Sequence, residues 1–237
     1  MTISDLQDLI NKANRIVFFG GAGVSTESGL KDFRSDDGLY SSKFSNYRPE
    51  EILSHSFLMN YPEVFFDYYK KVFIQGALHV KPNAAHKYLA KLESNGKNIT
   101  IITQNIDNLH QIAGSKNVIE LHGSIYRNYS IKTLQRYDGI DIILNSDSVP
   151  RTNTGEMIRP DVTLYEEPLD NEVISNAIDA LKSGDLLIIG GTSLTVYPAA
   201  NLINYFEGNN VVAINRDYIP IKNFIQGNIG EIFSKLK

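Results

Sequence analysis

Three groups of residues in this 237-residue sequence have types and spacing that could do chemistry. Gly20, Gly21 and Gly23 follow the apolar run RIVFF (residues 15–19) and precede Ser25, Thr26 and Ser28, then Asp32, Phe33 and Arg34. Glycines after a strand let a backbone approach an anion, and a helix start beyond them offers unpaired N–H groups, the arrangement that holds pyrophosphate. The pattern G-x-G-x-x-G is incomplete, because Thr26 stands at the third glycine place, so alone it reads equally as a tight turn. Gln104, Asn105, Ile106 and Asp107 follow a second apolar run; their amides and carboxylate could orient a sugar or cap a helix. His122 closes a third run, VIELH (118–122). A side chain that titrates near neutrality is a candidate general base, and the carboxyl end of a buried strand is where ligands of doubly wound sheets collect. A lone histidine there also reads as structural. His55, His79 and His110 have no such setting, and His86, within NAAHKYLAKL, reads as a packing residue.

The elements that must position these groups alternate along the chain. RIVFF (15–19), ITIIT (99–103), VIELH (118–122), LLIIG (186–190) and VVAIN (211–215) are nearly all apolar without a period of two, so each is expected to be a strand buried on both faces. Between them lie helical patterns: NAAHKYLAKLESNG with Asn83 as N-cap and Gly96 beyond its end, LDNEVISNAIDALKSG, and YPAANLINYFEG. The first residues carry Ile3, Leu6, Leu9 and Ile10 on one helical face. Strand–helix alternation predicts an α/β, doubly wound parallel sheet. Two stretches break the rhythm: residues 35–75, rich in aromatics and interrupted by Pro49 and Pro62, and the aperiodic 124–157. The chain therefore divides into a large domain (1–34, 81–123 and 159–237) and a smaller lobe inserted in two pieces (35–80 and 124–158).

Composition narrows the chemistry further. There is no cysteine, which removes disulfides, thiolate nucleophiles and thiolate-bound zinc. A net charge of −4 gives no field that would draw the chain to nucleic acid or an anionic membrane. No apolar run approaches a bilayer span and the amphipathic start is not a signal peptide, so a cytoplasmic protein is expected.

Taken in order, GAGVSTESGLKDFRS, TQNIDNLH, ELHGS, GTSLTVYPA and the IN of residues 214–215 resemble the sirtuin family of NAD-dependent protein deacylases over essentially the whole chain. The resemblance implies a Rossmann-like large domain that binds NAD, with acyl-lysine proteins or peptides entering between it and the small lobe. It implies that the acyl oxygen attacks the anomeric carbon of the nicotinamide ribose, nicotinamide leaves, and the acyl group ends on ADP-ribose. Carried over by motif, Gly21, Ala22, Gly23, Ser25 and Thr26 would cradle phosphates. Asp32, Phe33 and Arg34 would close over the cofactor, and Gln104 and Asn105 would hold the ribose. Ile106 and Asp107 would meet the nicotinamide amide. Gly191, Thr192, Ser193, Asn215 and Ile229 would complete the cofactor site. His122, with Asn105 and Asp107, would be catalytic, His122 as the base. Val162, Leu164, Tyr165 and Glu167 would bind the acyl-peptide. ADP-ribosyl transfer, NAD hydrolysis and nucleotide sensing without turnover stand as other readings of the same site. A short-chain dehydrogenase would need the pair Tyr218 and Lys222, which Pro220 interrupts. A monomer is expected.

The sequence departs from the family pattern in places. The zinc-ribbon cysteine positions hold Ser130, Thr133, Arg151 and Thr154, which cannot replace thiolates. No zinc is expected, and Ile140, Ile142, Ile143 and Leu144 would hold the lobe by packing. The proline before the Asp-Phe-Arg run is Lys31, and the glycine of the peptide loop is Glu166. Tyr68 and Lys71 stand where relatives that remove acidic acyl groups carry Tyr and Arg. The pair could meet an acyl carboxylate, or it could be a core aromatic beside a solvated lysine.

Overall fold

The computed structural model describes residues 1–32 and 43–237. Six parallel strands form one sheet: β1 (Arg15–Gly20), β2 (Asn98–Thr103), β3 (Val118–Glu120), β7 (Leu186–Gly190), β8 (Asn210–Asn215) and β9 (Asn223–Gln226). Their order is β3-β2-β1-β7-β8-β9. The chain thus winds outward from β1 one way, returns, and winds outward from β7 the other way, which is the dinucleotide-binding order with its switch point between β1 and β7.

Residue parity explains the apolar runs. Ile16 and Phe18 face a core closed by α1 (Ile3–Lys12), α6 (Ala84–Ser94) and α10 (Ile229–Phe233). Val17 and Phe19 face a second core closed by α9 (Asn171–Ser183) and a 3₁₀ segment, Ala199–Tyr205. Both faces are covered, so polarity cannot alternate. The expected caps form: the Asn83 side chain accepts from Ala85 N at 2.9 Å, and Gly96 takes φ 91° beyond α6.

Four expectations change. β3 is a half-buried edge strand ending at Glu120, so His122 lies in the turn after it. No regular helix follows the first glycines; two 3₁₀ turns, Ala22–Val24 and Thr26–Ser28, do. YPAANLINYFEG forms a 3₁₀ helix rather than an α-helix. The aperiodic insertion contains an antiparallel sheet of β4 (Gly123–Ser130), β5 (Arg136–Asp138) and β6 (Ile158–Val162). That sheet reaches residue 162, beyond the expected lobe boundary at 158.

Around this sheet pack α2 (Pro49–Ile52), α3 (His55–Asn60), α4 (Pro62–Tyr69) and α8 (Asp141–Leu144), with a π-helical segment, Lys70–Ile74, joining α4 to α5 (Gln75–Ala77). Phe65, Phe66, Tyr69 and Ile143 are fully buried there. Ile140 is buried with them, and Ile142 and Leu144 pack against the cluster. Each ring removes roughly 150–250 Å² from water, about 4–6 kcal/mol at ~25 cal/mol per Å² before the entropic cost. At the zinc-ribbon positions, Ser130 Oγ donates to Glu156 Oε2 at 2.5 Å and Arg151 donates to Gly155 O at 2.9 Å.

Between α6 and α7 (Leu109–Ala113), two histidines are sealed in the large core. His86 and His110 are 0% and 1% exposed, with ring centroids 4.6 Å apart. Burial lowers the pKa of His86 to about 4, and burial together with His86 drives that of His110 well below the ordinary 6.5. The folded state therefore keeps both neutral, while the unfolded chain takes up protons below about 6.5. Stability is fully present above that pH and falls as pH drops toward 4, by up to ~1.4 kcal/mol per pH unit for each histidine. Denaturant titrations across this range are expected to show the loss, with a shallower slope in His110→Leu; an unchanged slope would remove the assignment.

Candidate functional site

A cavity of about 520 Å³ opens at the carboxyl ends of β1 and β7, bounded on its far side by the smaller lobe. Its floor is set where two loops cross. Gly23 N donates to Gly191 O at 2.8 Å, Gly21 N to Gly190 O at 3.2 Å, and Gln104 N to Gly20 O at 3.0 Å. A Cβ at Gly23 would lie 2.8 Å from Gly191 O, and one at Gly191, where φ is 58°, would lie 2.3 Å from Val24 N. Backbone is thus what approaches these glycines most closely, and the surface they leave lines the cavity.

Ser25 is the centre of the polar wall. It is 2% exposed, donates from Oγ to Asp107 Oδ2 at 2.6 Å, and accepts from Asn105 Nδ2 at 3.0 Å. Asp107 Oδ1 also accepts from Leu109 N at 2.9 Å, so this carboxylate both caps α7 and anchors Ser25. Burial raises the Asp107 pKa, against the bonds from Ser25 and Leu109 that lower it. Gln104 reaches across to Thr192 Oγ1 at 3.2 Å. Ile106 O accepts from Ile125 N at 3.1 Å, tying this segment to β4 of the smaller lobe.

His122 Nδ1 lies 2.8 Å from Gln104 O. A carbonyl only accepts, so Nδ1 carries the hydrogen and Nε2 keeps its lone pair. Burial lowers the pKa of this histidine, against the Gln104 bond that raises it, so the neutral, basic form prevails at neutral pH. The backbone that carries the ring is held as well. Thr163 N donates to His122 O at 3.0 Å, and Arg127 on β4 bridges Glu120 at 2.5 Å and Asp161 at 3.0 Å. Gly123, at φ 75°, allows the close crossing with β6, since its Cβ would stand 2.0 Å from Asp161 O.

Gly21, Ala22, Gly23, Ser25, Thr26, Asp32, Gln104, Asn105, Ile106, Asp107, His122, Gly191, Thr192, Ser193, Asn215 and Ile229 all line the cavity, as do Val162, Leu164, Tyr165 and Glu167. Phe33 and Arg34 lie outside the described residues. Tyr68 and Lys71 do not line the cavity. Tyr68 is 3% exposed within the aromatic cluster, and Lys71 pairs with Asp67 at 2.8 Å beside the Phe44 ring. The helix instead presents Tyr69, Phe73 and Ala77, a spacing of four carried through the π-helical segment. Sequence reasoning missed this register. It also missed Arg216, which lines the cavity beside Asn215 and pairs with Asp32 at 4.0 Å. Its place directly after the Ile-Asn pair was the available signal.

In the loop of residues 162–167, Tyr165 has both backbone groups engaged, N donating to Leu53 O at 2.9 Å and O accepting from His55 N at 3.0 Å. Glu167 accepts from Leu164 N at 2.8 Å and from the guanidinium of Arg159, and lies 2.8 Å from His55 Nδ1. Burial pushes its carboxyl up, but those partners outweigh it and hold the pKa below the ordinary range.

A family model, the Sir2 family, matches residues 21–198. The chain is 53% identical over 241 residues to an NAD-dependent protein deacetylase of Clostridium perfringens (strain 13 / Type A), covering 99% of this chain and 98% of that protein. Among solved structures it resembles Sir2 with a deacetylated p53 peptide and 3'-O-acetyl ADP ribose, at TM-score 0.88, 35% identity and coverage of 99% and 96% of the two chains. It also resembles Sir2 with a p53 peptide and NAD+, at TM-score 0.85, 36% identity and coverage of 99% and 97%. Its class is that of an α/β fold with a switch-point cavity and a neutral histidine at its wall. The chain belongs to the Sir2 family.

The loop that carries Ser25 is held from α6. Asn83 Nδ2 donates to Val24 O at 2.7 Å and to Ser28 Oγ at 3.1 Å while its oxygen caps the helix. Asn83→Asp keeps the capping acceptor and removes both donors. The expected outcome is a melting temperature lowered by about 3–6 °C and amide exchange about tenfold faster at residues 24–28, the scale of one to two net hydrogen bonds. Native exchange there would show that the loop is held by other contacts.

Proposed function

We infer that this chain is an NAD-dependent protein lysine deacylase of the deacetylase type, releasing nicotinamide and O-acyl-ADP-ribose. The observation that carries the reading is the fixed tautomer of His122, whose Nδ1–H is engaged by Gln104 on the wall of the cavity that Ser25, Asn105 and Asp107 also line. The glycine floor and the convergent side chains fit a dinucleotide. Residues 21–26, Thr192 and Ser193 would face its phosphates, and Asn215 its adenosine side. Arg216 adds a cation at this wall. When bound, NAD supplies a glycosidic bond to nicotinamide whose cleavage makes ADP-ribose the acceptor of the acyl group.

The chain's own residues do the rest. Asp107, fixed by Ser25 and Leu109, presents a carboxylate to a carboxamide. Asn105, held by Ser25, orients the ribose. His122 Nε2 takes the proton from a ribose hydroxyl, the step for which a neutral imidazole is needed. Tyr69, Phe73, Ile106 and Ile125 give the inner wall apolar surface that excludes water and suits a short acyl chain. The segment 162–167 receives the peptide. The large domain and two-part lobe of the sequence division belong to this reading, as do a monomer without a nucleic-acid partner and a cytoplasmic setting. Among the described residues no helix is long and apolar enough to cross a membrane.

Nicotinamide release measured with and without an acetyl-lysine peptide tests the reading: release that requires the peptide and yields free lysine supports it. Release without peptide would instead mark NAD hydrolysis. His122→Ala is expected to lower peptide deacylation by at least ~10²-fold, the low end of what a general base contributes, with NAD binding by calorimetry retained. Full activity in that variant would remove the base.

A further inference from the structure

The residue in place of the family glycine in the peptide loop, Glu166, is held in an unusual way. Its φ is 75°, in the left-handed region that a β-carbon disfavours. Its carboxylate accepts from Ser56 N at 2.9 Å and from Ser56 Oγ at 2.9 Å. The neighbours on both sides are tied to the same short stretch. Tyr165 pairs through its backbone with Leu53 and His55, and Glu167 meets the His55 ring. Tyr165 and Glu166 line the main cavity and also an adjoining one of about 500 Å³, so this loop is the partition between the two.

We propose that Glu166 is a positioning residue that assembles the peptide-binding loop before substrate arrives, by fastening it to Ser56 of the smaller lobe. The proposal rests on the deacylase reading, in which this segment receives the acyl-peptide. A glycine would adopt the same φ without strain, but it has no side chain to reach Ser56. The loop would then be ordered partly at the cost of peptide binding. A carboxylate at this position trades backbone ease for preorganisation, and binding a peptide to an ordered edge loses less conformational entropy. Glutamine can make the same pair of contacts, accepting from Ser56 N through its oxygen and donating to Ser56 Oγ through its amide. Alanine can make neither and keeps the strained φ.

The test uses the full chain in two arms. Amide exchange without any ligand reads the loop directly: residues 164–167 are expected to exchange at least about tenfold faster in Glu166→Gly and Glu166→Ala, and near the native rate in Glu166→Gln. Steady-state kinetics then read the consequence. KM for an acetyl-lysine peptide is expected to rise about five- to tenfold in Glu166→Gly with kcat at saturating peptide and KM for NAD little changed, and Gln is expected to restore most of the difference. Native exchange in Glu166→Gly, or a Gln variant that behaves like Gly, overturns the proposal, as does a loss confined to kcat. Should both truncations prove unfolded by circular dichroism, Ser56→Ala, which removes the hydroxyl donor alone, decides the exchange arm by the same criterion. A native enzyme that releases no nicotinamide with any acyl-peptide would refute the functional reading, and the exchange arm would still decide the fastening.

Discussion

The N–H of Gly23 bonded to the carbonyl of Gly191 joins the loops that leave β1 and β7, the two strands at which the sheet changes direction. A side chain at either residue would collide with the opposite backbone at under 3 Å. The crossing fixes the floor of the cavity and sets Ser25 where Asn105 and Asp107 can both reach it. From β1 outward, the polar wall is a consequence of that contact: Gln104 touches Gly20 on one side and Thr192 on the other. The floor of the cavity is therefore built of three loops held to each other, a surface already rigid before any ligand arrives.

His122 depends on a second constraint, at the edge of the sheet. β3 is only three residues long, and a histidine in the turn beyond so short an edge strand would be poorly held by the strand alone. Arg127 links Glu120 before it to Asp161 across from it, and the antiparallel crossing of β4 and β6 begins at Gly123, the next residue. His122 is thus held by more than the edge strand. Its ring is bonded to Gln104, just after β2, and its carbonyl to Thr163, the residue that follows β6.

Much of this was legible in the sequence. Unbroken apolar runs at β1, β2, β7 and β8 read correctly as strands covered on both faces, because alternate residues enter two different cores. The five ordered motifs placed the glycine floor and the polar wall of the cavity, while its apolar inner side, from Tyr69, Phe73, Ala77 and Ile125, lies outside them. What stayed hidden has physical causes. β4 carries a register shift between Ser124 and Asn128, so its buried positions do not fall on a period of two, and the smaller sheet left no pattern. The edge position of β3 was passed over because Val118 and Ile119 open it as they would a central strand, although Glu120 in so short a strand was a sign of half-burial. Tyr68 and Lys71 were named because they stand where relatives that remove acidic acyl groups carry Tyr and Arg, and the structure shows the other reading, a core aromatic beside a solvated lysine. The π-helical segment that begins at Lys70 widens the turn, and the inward stripe runs through Tyr69, Phe73 and Ala77.

The two glutamates of the peptide loop show why a substitution at a glycine position does not by itself signal loss of function. Glu167 has four contacts from three partners, two from Arg159, one from the Leu164 amide and one with His55, and without it the buried Arg159 guanidinium would lose its closest counter-charge. Unpaired buried charge is among the costlier defects a fold can carry, several kcal/mol by general experience, so Glu167 is fixed by the fold as much as by any ligand. Glu166 is different: it is exposed, its strain is local, and the hydrogen bonds that offset it are made with one serine. A position of that kind can change between relatives without disturbing the core, and it alters only how firmly the partition between the two cavities stands. Residue 166 can therefore vary while Arg159, Glu167 and the histidine wall remain as they are.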